Sequence, residues 1–190
     1  MKHRFRPLFA LLLATSSTWV LADGPASAPA QPPIDCAQKY KEVADAAAKL
    51  PFHEFDQTEA GWRQLGPCPA EQASLLRRYL IKHDSENRLL HWHLAQTLAM
   101  AGDNTAAAEQ ALLSVNPDEA TQHPSFAWNA YALATVAFLR NDRAAFDEQY
   151  EIHRRAANGF KANEVNFKVL TGLAKCFGKS YAEAYGACRP

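Results

Sequence analysis

The feature that most constrains this chain is self-similarity. Ala70-Glu71-Gln72-Ala73 recurs 38 residues on as Ala108-Glu109-Gln110-Ala111, and Gly102-Asp103 returns 39 residues on as Asn141-Asp142. Glu148-Gln149 falls one further period along. A period of this size marks stacked supersecondary units, because each unit buries its apolar face only against its neighbours. Three helical hairpins are expected, a degenerate one at about 57–83 and two fuller ones at 88–116 and 125–157.

The hydrophobic period within the units is helical. In 88–101, Leu90, Leu94, Leu98 and Ala101 share one side of the wheel with His91 and Ala95 beside them. Leu89, His93, Gln96, Thr97 and Met100 lie opposite. Gly102 supplies the left-handed residue that stops a helix, and Asp103 or Asn104 caps the next. That next helix places Ala107, Ala108, Ala111, Leu112 and Val115 on one face, and Pro117 lies beyond its end. Residues 126–140 are apolar almost all round, the mark of a helix buried between layers. Helices are also expected at 35–50, from Pro69 to His83, at 143–157, at 163–176 and around 181–185, with a short one carrying Trp62 and Leu65.

Leu94, Ala95, Gly102-Asp103 and Ala107, followed by Leu133, Ala134 and Asp142 in the next copy, resemble the packing residues of the tetratricopeptide-repeat superfamily, SEL1-type hairpins included. The period exceeds the 34 residues of a regular repeat. Trp92 and Trp128 are displaced from the family's aromatic position, and Pro117 comes early. The resemblance covers about two thirds of the chain beyond residue 22. It implies an all-α fold of stacked antiparallel helical hairpins, a short α-solenoid with flanking N- and C-terminal helices. Phe55-Asp56-Gln57 with Gly61-Trp62-Arg63, and the tail CFGKSYAEAYGAC, are also similar to exported bacterial proteins.

Residues 1–22 have the zones of a secretory signal: basic Lys2, Arg4 and Arg6, an apolar run from Leu8, and Val20-Leu21-Ala22 before a cut after Ala22. Thr15-Ser16-Ser17-Thr18 interrupts the run too early for a membrane span. No cysteine stands at the cut, so no lipid anchor is expected, and the chain reads as periplasmic or secreted. Residues 23–34, DGPASAPAQPPI, read as a Pro/Ala-rich tether. One helical domain then runs over 35–190. Cleavage removes three of the 20 basic residues and none of the 20 acidic ones, leaving a net charge of −3. Such a surface offers nucleic acid or anionic lipid no electrostatic footprint.

Four cysteines in an exported domain predict two disulfides. Three pairings are possible. Cys36–Cys68 is favoured because both open helices at one end of the bundle, and Cys176–Cys188 because a returning tail follows the last long helix. A zinc site would want a C-x-x-C pair, which is absent. His91 and His93, two apart on a helix, point about 200° apart and cannot grip one ion. His91 reads as an inter-helix hydrogen-bonding residue and His93 as a surface one. Asp56, followed by Glu59, reads as a capping box. Gly178-Lys179-Ser180 follows a helix, not a strand, and is rejected as a P-loop.

The function expected from this architecture is binding. The inner groove of a hairpin stack would hold a protein or peptide partner, with His93, Gln96, Thr97, Met100, Asn129 and Arg140 as lining candidates. No cofactor, metal or catalytic set is called for. The alternative is an exported hydrolase or metal-dependent enzyme using the loop from His53 to Asp56, where carboxylate and imidazole could share a proton. Its condition is a concave pocket where His53, Glu54 or Asp56 meets another histidine.

Overall fold

The computed structural model describes residues 34–190. The expected signal segment at 1–22 and nearly all of the tether lie outside the described residues. Every regular element described is helical, and none is long and apolar enough to cross a membrane.

Local sequence explains most helix ends. α1 (Cys36–Ala47) starts where the Asp35 side chain accepts from the Gln38 amide at 2.9 Å. α2 (Phe52–Gln57) and a 3₁₀ turn (Trp62–Leu65) lead to α3 (Pro69–His83), which has proline in its first turn. α4 (Arg88–Met100) is capped by Asn87 and α5 (Asn104–Leu113) by Asp103. A short α6 (Glu119–Gln122), not expected from the sequence, precedes α7 (Trp128–Leu139). α8 (Arg143–Ala156), α9 (Lys161–Lys175) and α10 (Tyr181–Tyr185) complete the chain.

The two matched turns share one geometry. Gly102 and Asn141 both take positive φ, 88° and 56°. The next amide returns to the carbonyl five residues back, Asp103 to Leu98 at 3.0 Å and Asp142 to Ala137 at 2.8 Å. Each aspartate then caps the following helix, accepting from Ala106 and Ala145. The same turn written twice folds α4 onto α5 and α7 onto α8.

Packing runs on from these pairs. α3 lies on α4, α5 on α7, and α9 on α7 and α8, while α1 and the 3₁₀ turn cover α3. α7 is buried nearly all round, as its composition requires. Trp92 of α4 joins it to α7, with its ring 4.8 Å from Trp128 and 4.9 Å from Tyr131. At the N-terminal end the Tyr79 hydroxyl donates to the Leu50 carbonyl at 2.9 Å, and Phe55 stacks on Tyr79. The disulfides join Cys36 to Cys68 and Cys176 to Cys188, with Cα separations of 5.6 and 6.2 Å.

One contact alters the expected amphipathicity of α4. α10 turns back and packs on both α9 and α4, with Tyr181 and Ala184 buried. Trp92, Thr97 and Ala99 are buried along with the expected Leu90, Leu94 and Leu98, Trp92 against the rings of α7. The Tyr181 hydroxyl is buried near Gln96 without completing a hydrogen bond, and the ring lies 6.3 Å from Phe138 of α7. Gly172 of α9 permits this approach, since a Cβ there would lie 2.7 Å from the Ala184 carbonyl oxygen.

Candidate functional site

The six residues expected to line an inner groove do not gather on one open face. Thr97 is buried and its hydroxyl donates to the Leu94 carbonyl at 3.0 Å. Met100 is partly buried against the core, and Gln96 lies beside Tyr181. Asn129 is a clamp: its side chain donates to the Asn116 carbonyl at 2.7 Å and accepts from the Asn116 amide at 2.8 Å. Arg140 is exposed at the end of α7. Its possible acidic partners are engaged elsewhere, Asp147 with Arg143 and Asp142 with the Ala145 amide.

His93 is not the surface residue its wheel position implied. Its side chain is 13% exposed and Nδ1 lies 2.6 Å from Asp56 Oδ1. Asp56 is no cap either. It stands inside α2, fully buried, and also accepts from the Trp62 indole N–H at 3.2 Å and from the Gln57 side chain. Burial opposes ionisation of Asp56. The hydrogen bond and charge of His93, the Trp62 N–H and the Arg63 charge outweigh it and hold the carboxyl below its usual range. Arg63 lies over the Trp62 ring at 4.1 Å, and its Nη1 is buried without a hydrogen-bond partner among the described residues. His53 and Glu54, the other two residues of the expected loop, are exposed.

This cluster ties the 51–66 segment to α4. It can also hold the imidazole in one tautomer, with Nδ1–H on the carboxylate and Nε2 as the basic nitrogen. His91 does what the sequence implied, bridging Gln110 of α5 at 2.8 Å and the Ser85 carbonyl at 2.9 Å. Among the described residues, Cys36, Cys68 and Glu71 form a group close enough for an ion, but its two sulfurs are joined to each other and are not thiolates.

One open concavity of about 620 Å³ lies beside Pro51, Phe52 and Tyr79, and others lie along α5 and the helix ends beside it. A cleft of about 390 Å³ is lined by Arg88, Leu89, Ser114, Glu119, Phe126 and Trp128, among others. Arg88 also lines a second depression with His91, Leu112, Leu113 and Val115. Leu112 in turn lines a third with Leu133, Val136 and Arg140. Leu112 and Leu113 are 38% and 53% exposed. Neither Arg88 nor Arg140 has an ion-pair partner among the described residues. Sequence reasoning had placed Leu112 inward, on the face that α5 turns to α4.

No protein-family model, curated protein or solved structure matches the chain.

Proposed function

We propose that this protein is an exported, disulfide-bonded helical-repeat module that binds a protein or peptide segment. In this reading, the hairpins α4–α5 and α7–α8 are units of a short tetratricopeptide-like stack. The inner face of the stack is closed by the chain's own α10, so the partner surface is the row of depressions along α5. The observation that carries the proposal is the linkage of three depressions through Arg88 and Leu112. Exposed leucines alternate with unpaired arginines along the row, a pattern that suits a segment with apolar anchors and acidic neighbours. The paired turns support the repeat reading, and the two disulfides support an oxidising compartment.

The test is selection of peptides on the purified domain, followed by affinity measurement with Leu113→Asp and Arg140→Ala variants. Selected peptides should be acidic and apolar. Each substitution should weaken them by about tenfold or more, the loss of a contact worth about 1.5–3 kcal/mol. Melting temperature should move by less than about 4 °C. Binding that ignores both variants would move the partner surface off α5.

The Asp56–His93 pair is the observation behind the second reading, an exported hydrolase: an acid of the expected loop meets another histidine, although neither residue lines the cavities described above. A His93→Gln variant that folds normally and abolishes turnover of an ester or phosphoester by the wild type would establish it. Absence of turnover across both ester classes in the wild type would leave the pair a structural tie.

A further inference from the structure

The cleft of about 390 Å³ is separable from the row it terminates. Three sides come from one stretch, Ser114 to Trp128, and the fourth from the start of α4. Its floor is apolar: Leu89, 39% exposed, the half-buried ring of Phe126, and Trp128. The polar groups around that floor are committed. The Trp128 indole donates to the Ser114 carbonyl at 2.9 Å, Asn116 is clamped to Asn129, and a Glu119 oxygen accepts from the Asn129 amide at 2.7 Å. Glu119 thereby answers the positive end of α7, whose own cap position, Ala127, has no side chain to do so.

The start of α4 is answered only by its cap, Asn87, whose side chain also donates to Asp84 at 3.4 Å. Its first turn holds no acidic residue, Asn87 takes only the Leu90 amide, and Arg88 stands at the rim without an ion pair among the described residues. With Glu119 bonded to the Asn129 amide, the cation on the rim is the Arg88 guanidinium, at a helix N-terminus and beside an aromatic floor. His123 lines the same rim and is exposed. The volume is at the small end of the range for small-molecule sites, about 300–1,000 Å³.

We infer that this cleft is a small-molecule site for a compact apolar carboxylate, an aryl or branched alkyl group on the Leu89–Phe126–Trp128 floor and its carboxylate on Arg88. This goes beyond partner binding along α5 and does not require it. The probes are hydrocinnamate, its uncharged amide, propionate, and an acetylated tripeptide ending in phenylalanine. Binding to the full domain is read by calorimetry and by the Trp128 indole N–H resonance. Hydrocinnamate should bind and shift that resonance. The amide, which lacks the charge, should bind about tenfold weaker or worse. Propionate, which lacks the ring, should fall by a similar factor of about ten. Arg88→Gln should erase the preference for acid over amide and leave the melting curve in place, and Leu89→Arg should block hydrocinnamate.

Equal binding of acid and amide, or a preference that survives Arg88→Gln, overturns the inference, as does no binding of hydrocinnamate. Tripeptide binding about tenfold tighter than hydrocinnamate would overturn the assignment to a small molecule and give the cleft to a chain end. The Leu113→Asp variant separates the two ideas: it should impair peptide capture along α5 and leave hydrocinnamate binding unchanged.

Discussion

Replacing Asp56 by asparagine removes one charge and almost no volume, which makes it a clean probe of the only buried carboxylate among the described residues. Oδ1 accepts from His93 and Trp62, and Oδ2 from Gln57. Asparagine offers one acceptor where aspartate offers two. If its carbonyl keeps the Oδ1 position, its NH₂ faces the Gln57 NH₂. If it flips, His93 and Trp62 face a donor. In either case at least one donor loses its acceptor and the remaining bonds lose their charge assistance, a cost of about 2–4 kcal/mol. For a domain of about 150 residues that lowers the melting temperature by roughly 5–15 °C at pH 7.

The pH dependence has a definite sign. The folded-state pKa of Asp56 is depressed, so its contribution is present above the unfolded value, near 3.9, and is lost as pH falls through the folded value. The gap between wild type and Asp56→Asn should be widest near neutrality and close in acid. Thermal denaturation followed by circular dichroism at several pH values between 7 and 2 reads both quantities. A variant melting within about 2 °C of wild type at pH 7 would sink the reasoning. So would a gap that stays constant down to pH 2.

Two further outcomes are expected. Replacing both cysteines of a bridge by serine should cost about 4 kcal/mol for Cys36–Cys68 and about 3 for Cys176–Cys188, from closed loops of 32 and 12 residues. Urea denaturation of the two double variants would expose a reversed order. Asn163→Ala should cost about 3 kcal/mol or more, because the buried side chain donates to the Ser125 and Ala156 carbonyls at 2.8 Å and accepts from the Ala127 amide at 3.0 Å. Amide exchange should then quicken at Ala127. Unchanged protection there would mean that this node does not hold the approach to α7.

What the sequence made legible was mostly local. Gly102-Asp103 and Asn141-Asp142 announced the two turns because a left-handed residue followed by a capping aspartate is a short-range device. Pro69 marked α3 for the same kind of reason. Misreadings arose where a distant segment overrode a local pattern. Asp56 and Glu59 have the spacing of a capping box, yet the partner that matters to Asp56 is His93, 37 residues away. Gln96 looked open because nothing in its own helix indicates that Tyr181 of α10 returns beside it. The Cys176–Cys188 pairing was the one trace of that return, since a bridge between the last long helix and the tail requires the tail to fold back.

The return of α10 onto α4 also sets an order of events as the chain emerges and folds. A chain made from its N-terminus has α4 available early, and the Gly102 turn lets it pair at once with α5. The flank of α4 that carries Gln96 lacks its α10 cover until Tyr181 follows α5 to α9. Over that interval the central hairpin is a half-dressed element with apolar surface open to other chains. Closing it is a long-range contact, and contacts of that kind form late and slowly. The last short helix thus decides when the nascent protein stops being adhesive, although it contributes only five residues.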